Sequence, residues 1–290
     1  MNVQATTRSS TSFDVQPLTP VIGAELRGID LASGLDDAII AEVRRALLRH
    51  KVIFFRDQRI TRAQHIAFAR SFGDLEVHPA TPKDQEDPEA LRITHGPDSR
   101  GQENFWHSDV TWRAEPSLGS ILRALEVPPV GGDTLFSCMY SAYEALSPAM
   151  QDWVCTLTAE HDIARVFAQR LNVSAETLRE KYPVQQHPVV RTHPETGRRG
   201  LYVNTAFTSR ILDLSPKESD WLLEHLYGFA AIPEHQCRFV WTPDSLAFWD
   251  NRACQHLAVS DYFPAVRAME RVTIAGDRPF FDPEATAAAL

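Results

Sequence analysis

The spacing of apolar residues predicts a few amphipathic helices set among many short strands. Over residues 36–50, Ile39, Val43 and Leu47 recur at helical spacing, which predicts a helix with one buried face. The apolar run that follows, residues 51–55, is typical of a buried strand. The first part of the chain is therefore expected to alternate helix and strand.

Capping boxes mark three further helix starts. A Ser or Thr precedes a Glu or Gln by three residues at Thr61, Ser141 and Ser215. We expect the helix that opens at Thr61 to end at Gly73, because glycine is favoured just past a helix. The pattern over residues 215–229 is the clearest, since Pro216 occupies its first turn.

Most of the remaining regular structure is predicted as short strands bounded by turn residues. Residues 193–197 are predicted to form a hairpin connection between two of these strands. The polar segment 165–182 has no matching strand partner and is a candidate for a mobile lid. Many strands with inserted helices favour a mainly β fold, a jelly-roll barrel with flanking α-helices. The strands are predicted at residues 120–124, 189–192, 201–204, 238–241, 245–249 and 266–274.

Composition and charge narrow the functional class. The formal net charge of −9 argues against a nucleic-acid partner, which requires a basic face. The four cysteines form no C-x-x-C pair, and neither a signal peptide nor a membrane-spanning apolar run is visible. We expect a cytoplasmic protein without membrane partners, with a disordered N-terminus over residues 1–12 and one domain over residues 13–290.

His107 and Asp109 indicate a metal site. In an extended strand, residues two apart point to the same face, about 7 Å from each other. His256, downstream of an apolar strand, is a candidate third ligand. Together they would form the 2-His-1-carboxylate set of non-haem Fe(II) oxygenases.

Arg267 and Arg271 indicate binding of anions. They are four residues apart in a predicted strand, so both guanidinium groups are expected to reach into one compartment. Arginine suits bidentate capture of a carboxylate, sulfonate or phosphate. Two arginines on one face therefore predict two anions, or one anion with two acidic ends.

Four strings of residues resemble the taurine dioxygenase family. Its members are Fe(II)/2-oxoglutarate-dependent oxygenases, among them phenoxyacetate-herbicide dioxygenases and alkyl sulfatases. The resemblance extends over residues 18–280. The strings are WHSDVTW (106–112), GGDT (131–134), WDNR-x-x-QH (249–256) and DY-x-P-x-x-R-x-x-x-R (261–271).

The resemblance implies a double-stranded β-helix fold and a role for individual residues. His107, Asp109 and His256 would hold Fe(II). Arg267 and Thr134 would bind the distal carboxylate of 2-oxoglutarate. The family's reaction uses O2 and couples decarboxylation of 2-oxoglutarate, to succinate and CO2, with hydroxylation of a C–H bond.

The resemblance also implies a site for a small anionic organic substrate. Arg271 would bind its acidic group, helped by His78 and the backbone N–H of Val110, and Phe207 would line the pocket. The expected substrate is a sulfonate such as taurine, which would yield sulfite and an aldehyde.

The far end of the substrate site departs from the taurine-specific pattern. The tyrosine and asparagine that contact the amine of taurine in the family correspond here to Thr81 and Glu103. Alkyl sulfate esters and aryloxyalkanoates therefore remain alternative substrates. A zinc hydrolase on the same three ligands and a non-catalytic binding module are alternatives from other classes. By resemblance, a homo-oligomer, dimer or tetramer, is expected.

Overall fold

The structure, a computed structural model, describes residues 13–78, 81 and 86–288. The predicted disordered segment, residues 1–12, lies outside the described residues. The described chain is mainly β, with seven α-helices around the strands. The strands are β1 Asp14–Pro17, β2 Ala24–Arg27, β3 Val52–Phe55, β4 Leu75–Glu76, β5 Ala90–His95, β6 Gly119–Glu126, β7 Thr134–Cys138, β8 Thr158–His161, β9 Gln185–Pro188, β10 Val190–Thr192, β11 Arg199–Leu201, β12 Thr208–Ile211, β13 Gln236–Phe239, β14 Leu246–Asp250, β15 Cys254–Ala258 and β16 Arg267–Ile274. The helices are α1 Asp37–His50, α2 Arg62–Arg70, α3 Met139–Glu144, α4 Pro148–Val154, α5 Ala164–Leu171, α6 Ala175–Lys181 and α7 Pro216–Gly228.

Two sheets pack face to face and enclose an apolar core. The larger sheet has the strand order β1-β2-β3-β14-β6-β16-β4, with β5 also paired to β16, and the smaller has the order β13-β7-β15. Phe54 and Trp249 of the larger sheet pack with Phe136 and Phe239 of the smaller one. The rings of Phe54 and Phe239 stack with centroids 4.1 Å apart. This core fixes the distance between the sheets and hence the place of the side chains between them.

Helices α1 and α2 cover the outer face of the larger sheet. Val43 and Leu47 of α1 are buried with Phe248 and Ile121 of the sheet. The central strands are therefore buried on both faces, which explains why β3 and β14 read as continuous apolar runs rather than alternating ones.

Three of the four predicted helices are confirmed. Asp36 caps α1, Thr61 and Gln64 form the predicted box before α2, and Ser215 and Glu218 form the box before α7. Helix α2 ends at Arg70, three residues before Gly73. No helix in the described part of the chain is long and apolar enough to cross a membrane.

The predicted helix start at Ser141 is wrong. Strand β7 runs directly into α3, which begins at Met139, so Ser141 already lies inside the helix. The side chain that does cap a helix here is that of Ser147, which accepts from the N–H of Met150 and precedes Pro148. Proline at the first helical position favours this start, because its missing N–H would have no partner there.

The predicted strands all lie at or beside observed ones. The connection at residues 193–197 is confirmed as the turn between the antiparallel β10 and β11, although β11 ends where the predicted strand 201–204 begins. Segment 165–182 forms most of α5 and α6 rather than an irregular loop. Its role as a mobile lid stays a prediction.

Candidate active site

Three buried side chains converge between the sheets. The ligand atoms of His107, Asp109 and His256 all lie within 4.8 Å of one another. The Nε2 atoms of both histidines are 3.9 Å from Asp109 Oδ1. Two imidazoles and one carboxylate at these distances could hold a single metal ion and leave the other coordination positions open.

A pair of backbone hydrogen bonds brings the histidines together. His256 lies in β15, and His107 forms an isolated bridge with it, in which each N–H donates to the other's C=O at 3.0 and 2.8 Å. The prediction that residues 107–109 form an extended strand is wrong, because the chain turns at Asp109 and Val110 has φ +48°. The turn, rather than strand alternation, directs the Asp109 carboxylate towards the imidazoles.

Neighbouring groups orient the candidate ligands. His107 Nδ1 lies 3.0 Å from the carbonyl oxygen of Phe105, to which it can donate a hydrogen bond. The lone pair of Nε2 is then free to bind a metal. The hydroxyl of Ser120 donates to Asp109 Oδ2 at 2.9 Å. The backbone N–H of Asp109 donates a hydrogen bond to Asn251 Oδ1 at 3.2 Å. These contacts hold the carboxylate and one imidazole in fixed orientations.

The protonation states suit a divalent cation. Burial lowers the pKa of His107 and lowers that of His256 to about 3, so both imidazoles are neutral at pH 7. Burial opposes ionisation of Asp109, but the charge of Arg271, helped by the hydrogen bond from Ser120, outweighs it and lowers the pKa of the carboxyl. Neutral nitrogen donors and one carboxylate are the donor set that ferrous iron binds.

Arg267 supplies a buried cation beside the cluster. Its Nε donates to the carbonyl of Gly132 at 3.0 Å, while Nη2 has no hydrogen-bond partner among the described residues. Gly132 has φ +73°, and a Cβ there would lie 3.0 Å from Arg267 Cδ, so glycine permits this close approach. Thr134 Oγ1 accepts from Trp241 Nε1 at 3.0 Å, which leaves its hydroxyl hydrogen to donate. An anion would satisfy both groups.

Arg271 lies four residues further along β16, in the same cavity. Its Nη1 donates to Asp109 Oδ1 at 3.1 Å, and its Nε has no hydrogen-bond partner in the described part of the chain. Burial and the charge of Arg271 lower the pKa of His78 to about 3, so this imidazole is neutral too. Arg271 therefore contacts the candidate ligand Asp109 and can still donate hydrogen bonds to an anion bound in the cavity.

All nine predicted site residues line one cavity of about 420 Å³. Glu103 lines it as well, whereas Thr81 is buried but is not among its described lining residues. The nine are His78, His107, Asp109, Val110, Thr134, Phe207, His256, Arg267 and Arg271.

Sequence reasoning missed several residues of this site. Phe167 and Arg170 reach the cavity from α5, and no local pattern marks them. Ser120 was likewise unmarked within a predicted strand. Asn251 lies inside the WDNR string, so a signal was present there although no role was assigned to it.

Comparison with known proteins agrees with this arrangement. The family described as Taurine catabolism dioxygenase TauD, TfdA family matches residues 14–273. An alpha-ketoglutarate-dependent sulfate ester dioxygenase of Pseudomonas putida is 34% identical over 284 residues, covering 95% of this chain and 93% of the relative. The (S)-phenoxypropionate/alpha-ketoglutarate-dioxygenase of Sphingobium herbicidovorans is 34% identical, with 92% and 96% covered. The crystal structure of a taurine dioxygenase from Burkholderia xenovorans superposes with a TM-score of 0.82 at 39% identity, with 95% and 93% covered.

Proposed function

This chain belongs to the TauD, TfdA family of taurine catabolism dioxygenases, and on that premise we propose that it hydroxylates a small organic anion at the carbon bearing a sulfonate or sulfate group. It is an Fe(II)- and 2-oxoglutarate-dependent dioxygenase, as its relatives are. The assignment of roles to individual residues, and the choice of substrate, are the proposal.

The observation that carries the proposal is the position of the three candidate ligands beside two arginines in one cavity. His107, Asp109 and His256 would hold Fe(II). Arg267 and Thr134 would bind the distal carboxylate of 2-oxoglutarate. When bound, ferrous iron and 2-oxoglutarate supply the O2-dependent oxidation that converts the keto acid to succinate and CO2.

The protein's own contribution is to bind and orient the primary substrate. Arg271, His78 and the N–H of Val110 would fix its acidic group, and Phe207 would support the carbon chain. Fixing the anionic end would hold one carbon close to His107, Asp109 and His256, and such positioning accounts for a large part of the barrier reduction in enzymes. A substrate with the C–H bond beside the anionic group is therefore favoured.

The proposed product chemistry balances without a further reactant. Hydroxylation of the carbon that bears a sulfonate gives an alcohol in which the C–S bond can break. The O–H proton is lost, its electron pair forms the carbonyl of an aldehyde, and sulfite leaves with the C–S electrons. From a sulfate ester the C–O bond breaks in the same way and sulfate leaves.

A substrate panel tests this function. Purified protein with Fe(II), 2-oxoglutarate and O2 is expected to form succinate, and formation should rise with one or more members of a panel of sulfonates, alkyl sulfates and aryloxyalkanoates. With a sulfonate or a sulfate ester as substrate, sulfite or sulfate should be released in proportion to succinate. Substrate-dependent product that forms without O2 and 2-oxoglutarate would instead favour a zinc hydrolase.

Four broader features belong to the same proposal. The two facing sheets are consistent with a double-stranded β-helix core, within one domain over residues 13–290. A homo-oligomer and a cytoplasmic location are proposed from the resemblance to the family, and light scattering and cell fractionation test them.

A further inference from the structure

The charges that line the cavity are predominantly positive. Its described lining contains four arginines but only two carboxylates, so an additional cation would be repelled. Fe(II) and 2-oxoglutarate carry opposite charges of equal size and do not change this balance. The four cations are Arg170, Arg267, Arg271 and the solvent-exposed Arg92, whose charge is screened by water, and the two carboxylates are Asp109 and Glu103.

Both carboxylates already pair with an arginine. Asp109 accepts from Ser120 and Arg271 and belongs to the candidate metal cluster. Glu103 Oε1 accepts from Arg170 Nη1 at 2.9 Å, and its Oε2 accepts the N–H of Gln102 at 3.1 Å. The charge of Glu103 is therefore already balanced by Arg170, and an ammonium group would compete with Arg170 for it.

Arg170 also contacts two of the aromatic rings that line the cavity. Its guanidinium carbon lies 5.8 Å from the ring centroid of Phe105 and 5.9 Å from that of Phe167. Its Nη2 donates to the carbonyl of Gln102 at 2.6 Å, which anchors α5 to the loop before the candidate ligands. Contact with aromatic faces is the second usual means of binding an ammonium, and here Arg170 already uses two of them.

The rest of the cavity wall offers apolar contact. Phe207 and Phe167 stack with their ring planes 3° apart, and Val166 and Trp112 also line the cavity. Such a wall stabilises the binding of alkyl or aryl groups through burial of apolar surface.

We propose that this site selects organic anions whose remaining part is an uncharged alkyl or aryl group and discriminates against a terminal ammonium group. The inference rests on the proposed dioxygenase function and narrows its substrate class. Among sulfonates, it predicts that an alkanesulfonate binds more tightly than the aminoalkanesulfonate of the same length.

Two matched pairs of ligands test the inference directly. Propane-1-sulfonate replaces the ammonium of taurine with a methyl group, and butane-1-sulfonate does the same for 3-aminopropane-1-sulfonate. Binding is measured by calorimetry on protein loaded with Mn(II) and 2-oxoglutarate. We expect Kd to be at least tenfold lower for the alkanesulfonate in each pair. Equal or tighter binding of the amino compounds, or no binding of the alkanesulfonates, overturns the inference.

Substitutions at the ion pair test its cause. In Arg170→Met, Glu103 loses its cation, so the ratio of the two Kd values within each pair is expected to fall at least fivefold. The double variant Arg170→Met/Glu103→Gln removes the carboxylate charge as well and should restore a high ratio. An unchanged ratio in the single variant overturns the role given to this pair.

The test separates the inference from the function on which it rests. Stimulation of succinate formation by any member of the substrate panel reports the dioxygenase chemistry alone. If that stimulation is absent for every member, the proposed function fails. If it is present and taurine still binds as tightly as propane-1-sulfonate, only the inference fails.

Discussion

Removing the Arg267 guanidinium should selectively weaken binding of 2-oxoglutarate. In Arg267→Leu the apolar stem of the side chain is approximately retained, but the distal carboxylate of the keto acid loses its cation. Arg267 is 6% exposed, so water cannot readily replace the lost contact. The substitution therefore isolates one charge-assisted interaction in a largely dry part of the site.

The expected magnitude follows from the surroundings of Arg267. Removing one partner of a buried, hydrogen-bonded charge pair costs about 2–5 kcal/mol. The lower half of that range applies, because the Thr134 hydroxyl remains as a donor. A loss of about 3 kcal/mol raises Kd for 2-oxoglutarate by roughly a hundredfold.

Calorimetric titration of 2-oxoglutarate into Mn(II)-loaded protein measures this change. Arg210→Leu is the matched control, since Arg210 is exposed and pairs with Glu160 outside the cavity; its Kd should equal that of the wild type. The melting temperature of each variant reports whether the fold is intact. An Arg267→Leu protein that is folded and binds 2-oxoglutarate within threefold of the wild type would refute the assignment.

Three further predictions follow from the same structure. Arg271→Ala should raise KM for the primary substrate roughly a hundredfold, while the metal content, measured by mass spectrometry, stays near that of the wild type. Ser120→Ala should weaken Fe(II) affinity about tenfold, because partners of a ligating carboxylate typically contribute 10- to 100-fold; competition with a chelator measures it, and unchanged affinity contradicts the role of Ser120. Burial opposes ionisation of Glu270, but hydrogen bonds from His65 and Arg62 outweigh it and lower its pKa to about 2. Because a lowered carboxyl pKa adds stability above the unfolded value, Glu270→Gln should reduce the free energy of unfolding by about 2 kcal/mol at pH 7. The difference from the wild type should shrink as the pH falls from about 4.5 to 2, and a difference that grows there would contradict this reasoning.

Helix caps and apolar runs made much of the fold predictable, because they act through neighbouring residues. Thr61 and Ser215 carry their partners three positions away, and β3 needs only its own apolar side chains to be recognised. Strand β15 and the turn at Val110 depend instead on a distant partner. The bridge between His107 and His256 joins segments separated by many residues, and no local pattern determines it.

In the candidate site too, residues marked by a local pattern could be predicted, and residues placed by distant contacts could not. Chemically distinctive residues at fixed spacing, such as Arg267 and Arg271, could be assigned from the sequence, since a strand fixes their relative direction. Phe167 and Arg170 could not be assigned, because their place on the cavity depends on how α5 packs over the loop that contains Glu103.

The spacing of the two arginines on β16 also explains how one cavity can keep two anions apart. Positions four apart on a strand are separated by about 13 Å along it, and the Asp109 carboxylate contacts only the second arginine. With Fe(II) bound, Asp109, a dianionic keto acid and Arg267 bring the formal charge of the centre to zero, leaving Arg271 as one positive charge. A monoanionic substrate neutralises that charge, whereas a zwitterion brings a second cation into a cavity where Glu103 is already paired with Arg170. The same strand geometry that separates the keto acid from the substrate therefore also favours substrates with one negative charge and an uncharged remainder.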